Sequence, residues 1–361
     1  MYSYLNPAAR SWVCQSSVNP DVEQLHRQLP DYASTPLVPM NDLANELGIG
    51  RIYVKDESHR FGLPAFKILG AAWAVYRAVA AILGVPPTLS VGELGVAAMK
   101  QSVKLVACSD GNWGRAVARM ARYLHIPATI FLPRNIDRAT RDKIASEGAR
   151  ALVVDGDYDA AIEAAAKEAE ASNGLLVMDT SWPGYEEIPK WVVEGYSTML
   201  TEVDRQVKHL CGKPVTCAIA SVGVGSWAQS VVAHYKSQMP SALVATVEPT
   251  TAACLRRSLE AGKIVRIPTG DTIMCGMNCG TVSSVAWPTL RDGVDASVLI
   301  TDQDAHESVQ YLHSHGASGG PCGAAPLSAL RSLHREGVLG LGPDSVVVLF
   351  CTEGAREYVL I

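Results

Sequence analysis

An α/β architecture with mostly parallel sheets is the expectation for this chain, and three observations carry it. Short β-branched runs alternate with alanine-rich helical stretches, the order that produces strands covered by helices. Small, glycine-containing turns close two of those runs and open the helices that follow, at Ser109-Asp110-Gly111 and at Gly223-Val224-Gly225. With 361 residues, 48% of them hydrophobic, the chain is long enough for two domains or one large one.

In chain order, strands are expected at Lys104–Cys108, Ala128–Leu132, Ala151–Val154, Thr216–Ala220, Ala242–Val247 and Ser345–Cys351. Each is short, apolar and followed by turn-forming residues. Helices are expected at Phe66–Leu83, Asn112–Leu124, Arg138–Glu147, Tyr158–Ser172, Ile188–Cys211, Gly225–Lys236, Asp302–His315 and Gly323–Glu336. The segment Pro86–Ala98, richer in Pro and Gly, is a candidate domain junction. Neither an internal repeat nor a low-complexity linker is present.

Composition narrows the function. The net charge is −5, with no basic block and no aromatic-basic stripe, so nucleic acid is not an expected partner. Met1-Tyr2-Ser3-Tyr4 is not followed by the apolar run of a secretory signal, and Gly or charge breaks every apolar run short of a membrane span. Nine scattered cysteines read as reduced thiols in a cytoplasmic setting. Cys275 and Cys279 lack the second pair that a zinc site needs, so no metal is expected.

Three corners and one lysine carry candidate chemistry. Lys67 follows a polar turn and opens an apolar helix, where burial and the helix start favour a neutral, nucleophilic amine. A solvated surface lysine would explain the same position. Cys108-Ser109-Asp110-Gly111-Asn112-Trp113-Gly114 leaves backbone N–H groups for an anion and an amide at Asn112, although an ordinary capping turn uses the same residues. Ser221-Val222-Gly223-Val224-Gly225-Ser226 suits a phosphate. With Ala228 it also matches G-x-G-x-x-A, and Glu248 closes the next strand, so an NAD(P) oxidoreductase is a competing reading. The last strand ends in Cys351-Thr352-Glu353-Gly354, where a thiol or hydroxyl could meet a cofactor.

Taken together, these motifs resemble the fold-type II pyridoxal-phosphate enzymes, the group of the tryptophan synthase β-subunit, and within it the diaminopropionate ammonia-lyases. The resemblance rests on Lys55-Asp56-Glu57-Ser58, Arg60-Phe61-Gly62-Leu63, Ala65-Phe66-Lys67, Asp110-Gly111-Asn112 and Asp179-Thr180 with Trp182 and Gly184-Tyr185-Glu186. Gly223-Val224-Gly225, Val247-Glu248-Pro249, Gly276 with Cys279-Gly280, Gly316-Ala317-Ser318-Gly319 and Thr352-Glu353-Gly354 continue it in order. It implies two three-layer α/β/α domains: a large cofactor-binding one from 1–78 and 205–361, and a small mobile one over 79–204.

The resemblance also implies residue roles. Lys67 would form the Schiff base with pyridoxal 5'-phosphate and shuttle the α-proton, with Asp110 as the second acid/base. Asn112 would meet the cofactor's phenolic oxygen. Gly223, Val224, Gly225 and Ser226 would hold its phosphate, with Gly276 nearby, and Cys351 or Thr352 would meet the pyridine nitrogen. Ser109, Asp110, Gly111, Trp113 and Tyr185 would line the substrate. The implied reaction is α,β-elimination from a β-substituted amino acid such as 2,3-diaminopropionate, giving a 2-oxo acid and ammonia, in a homodimer. Departures cluster around the expected pocket: Pro64, Trp113, Pro183 and Cys351 stand where this group usually has Asn, His, an acidic residue and Ser. A serine or threonine dehydratase, or a β-replacement synthase, is therefore an alternative within the same group.

Overall fold

The computed structural model describes residues 3–109, 111–134, 136–156 and 158–360, with only the backbone at residue 159. The chain divides into two compact units, one from residues 1–19, 34–66 and 196–361 and the other from 20–33 and 67–195. The long segments therefore change unit at 66/67 and 195/196, not at the expected 78/79 and 204/205. Pro86–Ala98 is no junction either. It lies inside the second unit and holds the first eight residues of the helix Val91–Lys100, started by a capping box between Ser90 and Glu93.

The first unit is built on β1 (Tyr4–Leu5), β2 (Leu37–Pro39), β3 (Arg51–Asp56), β8 (Cys217–Ser221), β9 (Leu243–Pro249), β10 (Ala296–Ile300) and β11 (Val346–Cys351). Their order is β1-β10-β9-β8-β11-β3-β2. The five inner strands are parallel, and the short β1 and β2 pair antiparallel at the edges. β8 and β11 are buried along their whole length, which explains sequences that are apolar up to Ser221 at the end of β8. Helix Pro321–Arg335 packs Leu327 and Leu330 into the core shared with Ile52, Ile219, Val247 and Leu349.

In the second unit β4 (Leu105–Cys108), β5 (Ala128–Leu132), β6 (Arg150–Val153) and β7 (Leu175–Leu176) form a fully parallel sheet in the order β6-β5-β4-β7. Val106, Cys108 and Phe131 pack against Ala161, Ala165 and Ala169 of helix Tyr158–Ser172, one alanine per turn allowing close approach to the sheet. The expected helix Ile188–Cys211 is two helices, Glu187–Gly195 and Ser197–Cys211. Among the described residues, no helix is long and apolar enough to cross a membrane.

Candidate active site

In the second unit, Lys67 is the first residue of helix Lys67–Leu83. Its side chain is 23% exposed, and its Nζ donates to Oδ2 of Asp179, which is buried. The amine also lies 6.0 Å from the centroid of the Trp113 ring. The sequence motif included Asp179 but assigned it no role. Its partner is 112 residues away, and no local pattern marks such a pairing.

The Asn112 corner follows β4, and Asn112 begins helix Asn112–Leu124 half-buried. Ser109 Oγ accepts hydrogen bonds from the N–H groups of Gly111 at 2.9 Å and Gly114 at 2.8 Å, so this hydroxyl holds the corner together. Trp113 Nε1 donates to Val177 O at 3.1 Å. The Tyr185 hydroxyl donates to Leu176 O and accepts from Met178 N–H, both at 2.9 Å. Trp113 and Tyr185, expected to line the substrate, turn their polar atoms to the backbone of residues 176–178. Asp110, the expected second acid/base, lies outside the described residues.

The segment leading to Lys67 belongs to the first unit and is tied down there. Arg60 and Leu63 close a turn, Pro64 O accepts from Gly354 N–H at 2.8 Å, and Phe66 N–H donates to Thr352 O at 3.1 Å. The residue before Lys67 is therefore hydrogen-bonded to the exit of β11. Phe66 packs its ring 4.8 Å from Tyr196 and 5.2 Å from Trp227. Beneath the turn, wholly buried Arg60 binds Glu57 and Glu202, and Lys55 donates to Glu202 and Thr35 O at 2.8 Å.

Also in the first unit, the glycine turn joins β8 to helix Ser226–Lys236. Among the described residues, none accepts a hydrogen bond from the N–H of Gly223, Val224 or Gly225. Gly225 has φ +99°, and a Cβ on Gly223 would lie 2.9 Å from Gly276 O, so the turn admits no side chain at either glycine. Unpartnered N–H groups at a helix start fit a phosphate, and that is the test a phosphate-bearing cofactor must pass. Ser226 is buried at the first position of the helix. The Cys351 thiol is wholly buried against Gly319 and Gly323, where added Cβ atoms would come within 2.8 and 2.9 Å of Sγ. Burial pushes this thiol well above the usual range, so it stays neutral.

The competing nicotinamide reading needs Glu248 for a ribose. That carboxylate is wholly buried and accepts from Leu255 N–H at 2.7 Å and Arg256 N–H at 2.8 Å, at the start of helix Cys254–Ala261. It serves the helix, not a ribose. Among the described residues, no group of His, Cys, Asp and Glu could hold a metal ion.

Comparison with known proteins agrees with this geometry. The family model described as "Pyridoxal-phosphate dependent enzyme" matches residues 29–352. The diaminopropionate ammonia-lyase of Salmonella typhimurium is 36% identical over 296 residues, covering 79% of this chain and 73% of that protein. Crystal structures of the Escherichia coli diaminopropionate ammonia lyase superpose with TM-scores of 0.89, in complex with D-serine, and 0.88, in complex with an aminoacrylate-PLP azomethine reaction intermediate. Each is 30% identical, and the match covers 98% of this chain and 93% of theirs. A family match spanning nearly the whole chain, with a lysine at a helix start and a glycine turn whose N–H groups lack acceptors among the described residues, means that this chain belongs to the family of pyridoxal-phosphate dependent enzymes.

Proposed function

We propose that this enzyme catalyses α,β-elimination from a β-substituted amino acid such as 2,3-diaminopropionate, giving with water pyruvate and two molecules of ammonia. The observation that carries the proposal is the Lys67 amine held by the buried Asp179 carboxylate. Bound pyridoxal phosphate supplies the electron sink that acidifies the substrate's α-carbon and lets a β-substituent leave. Lys67 is the residue of attachment and carries the α-proton, while Asp179 orients its amine. Gly223, Val224, Gly225 and Ser226 hold the phosphate, with Gly276 closing against Gly223. Asn112 donates to the phenolic oxygen. A neutral Cys351 or Thr352 at the pyridine nitrogen favours loss of a β-substituent over transamination. Ser109 and Gly111 shape the carboxylate corner, and Asp110 is the base for the opposite stereoisomer.

The relatives named as diaminopropionate ammonia-lyases support the substrate, and the D-serine complex of one supports a β-hydroxy amino acid as a second one. Nine free thiols support a cytoplasmic setting, and a homodimer is the expected assembly. The test is the visible spectrum of the cofactor-loaded protein, read with pyruvate release from D- and L-2,3-diaminopropionate and from D- and L-serine. Pyruvate from diaminopropionate, lost in Lys67→Ala together with covalent cofactor, is the expected result. A loaded protein that releases pyruvate from none of the four would sink the reading, as would a Lys67→Ala protein that still turns over.

A further inference from the structure

The segment that presents Asp179 is held by side chains from both directions. Leu176, Val177 and Met178 precede it, and each has a backbone group bound by Tyr185 or Trp113. Cys108 N–H adds a contact to Met178 Sδ at 3.3 Å, and Val177 N–H donates to Val106 O at 2.8 Å. A tight turn folds Tyr185 back onto this segment: its N–H donates to Trp182 O at 2.9 Å, and its ring stacks on Trp182 at 4.5 Å and 16°. Burial pushes the Tyr185 hydroxyl above its ordinary value, so at neutral pH it keeps the proton it donates to Leu176 O. One phenol therefore bridges residues 176 and 178 and leaves residue 179 little freedom.

We propose that Tyr185 is a positioning residue: through Leu176 and Met178 it fixes the Asp179 carboxylate against the Lys67 amine, with Trp113 bracing Val177. This deepens the functional proposal above and rests on Lys67 as the reactive amine. The hydroxyl proton and one acceptor lone pair of Tyr185 are thereby used within this segment. Misplacing a reacting group by about 1 Å costs up to about a hundredfold in rate.

Tyr185→Phe keeps the ring and its stacking and removes only the bridge. In the cofactor-free protein, amide exchange at Met178 should quicken by about tenfold, the loss of one hydrogen bond. In the loaded enzyme kcat should fall about tenfold to a hundredfold while KM stays within about twofold. On an Asp179→Asn background the same change should cost less than about twofold further, because the group it positions is gone. Trp113→Phe, which frees Val177 O, should behave alike and serves if Tyr185→Phe folds poorly. Unchanged exchange at Met178, a raised KM with kcat retained, or full additivity with Asp179→Asn would each overturn the proposal. Exchange is read without substrate, so a wrong substrate assignment leaves that arm of the test intact.

Discussion

Glu248 lies wholly inside the molecule with both carboxylate oxygens on backbone N–H groups, and its protonation follows from that place. Burial is the larger influence and pushes its carboxyl up to about 7, against the Leu255 and Arg256 N–H groups, which favour the charge. The folded protein therefore keeps a proton that the unfolded chain has released. The stability linked to that proton is complete below the ordinary glutamate value of 4.5, declines as pH rises, and is gone above about 7. Across that window the loss is about 3 kcal/mol. Glu248→Gln cannot ionise, so its stability relative to wild type should rise by about that amount from the acid end to the basic end. Urea unfolding of both proteins at each end checks this, and a constant difference would assign the proton to another group.

Helix Pro321–Arg335 carries Pro326 in its interior, and this shapes the glycine turn after β8 from outside it. Proline has no N–H, so the carbonyl four residues earlier, on Cys322, loses its helical donor. Ser221, the last residue of β8, donates its hydroxyl to that carbonyl at 2.6 Å. The strand end that begins the glycine turn is thereby fastened to the helix. Ser221→Ala should cost about 1–3 kcal/mol, since it orphans a buried carbonyl. In Pro326→Ala, where residue 326 regains an N–H, the same change should cost under about 1 kcal/mol; equal costs in both backgrounds would end the argument. Buried parallel strands such as β5, β8 and β11 were legible in the sequence because apolar residues fill them, apart from Thr129 in β5 and Ser221 at the end of β8. β3 was not, because Lys55 and Asp56 look like turn residues until their distant partners are known. Nor was the break at Tyr196. Gly195 before it packs too closely for a side chain, since an added Cβ would lie 2.6 Å from Leu69 O and 2.8 Å from Gly70 Cα.

For the molecule as a whole, legibility follows sequence distance. The places of Lys67 and of the glycine turn could be read because a helix start and a tight strand-to-helix turn each need a short run of particular residues. Asp179 and the inward-turned Tyr185 could not, because their meaning lies in partners the fold supplies. Lys55, Glu57, Arg60 and Glu202 show the same at the level of stability. All four are wholly buried, and two positive and two negative charges meet from segments far apart in the first unit. Burial alone would raise the Glu202 carboxyl, yet hydrogen bonds and charge from Arg60 and then Lys55 hold it down at about 2. Its folded value lies below the unfolded 4.5, so the linked stability is present above 4.5 and is lost as pH falls toward about 2. Glu202→Gln leaves Lys55 and Arg60 sharing one fewer carboxylate in a dry interior, and should cost about 3–5 kcal/mol at neutral pH. The variant should also lose less stability than wild type as pH falls through that window. Replacing Lys55 by Met in the same protein removes the uncompensated cation and should recover part of the loss. A cost below about 1 kcal/mol for Glu202→Gln would mean that the network is not what holds the turn before Lys67.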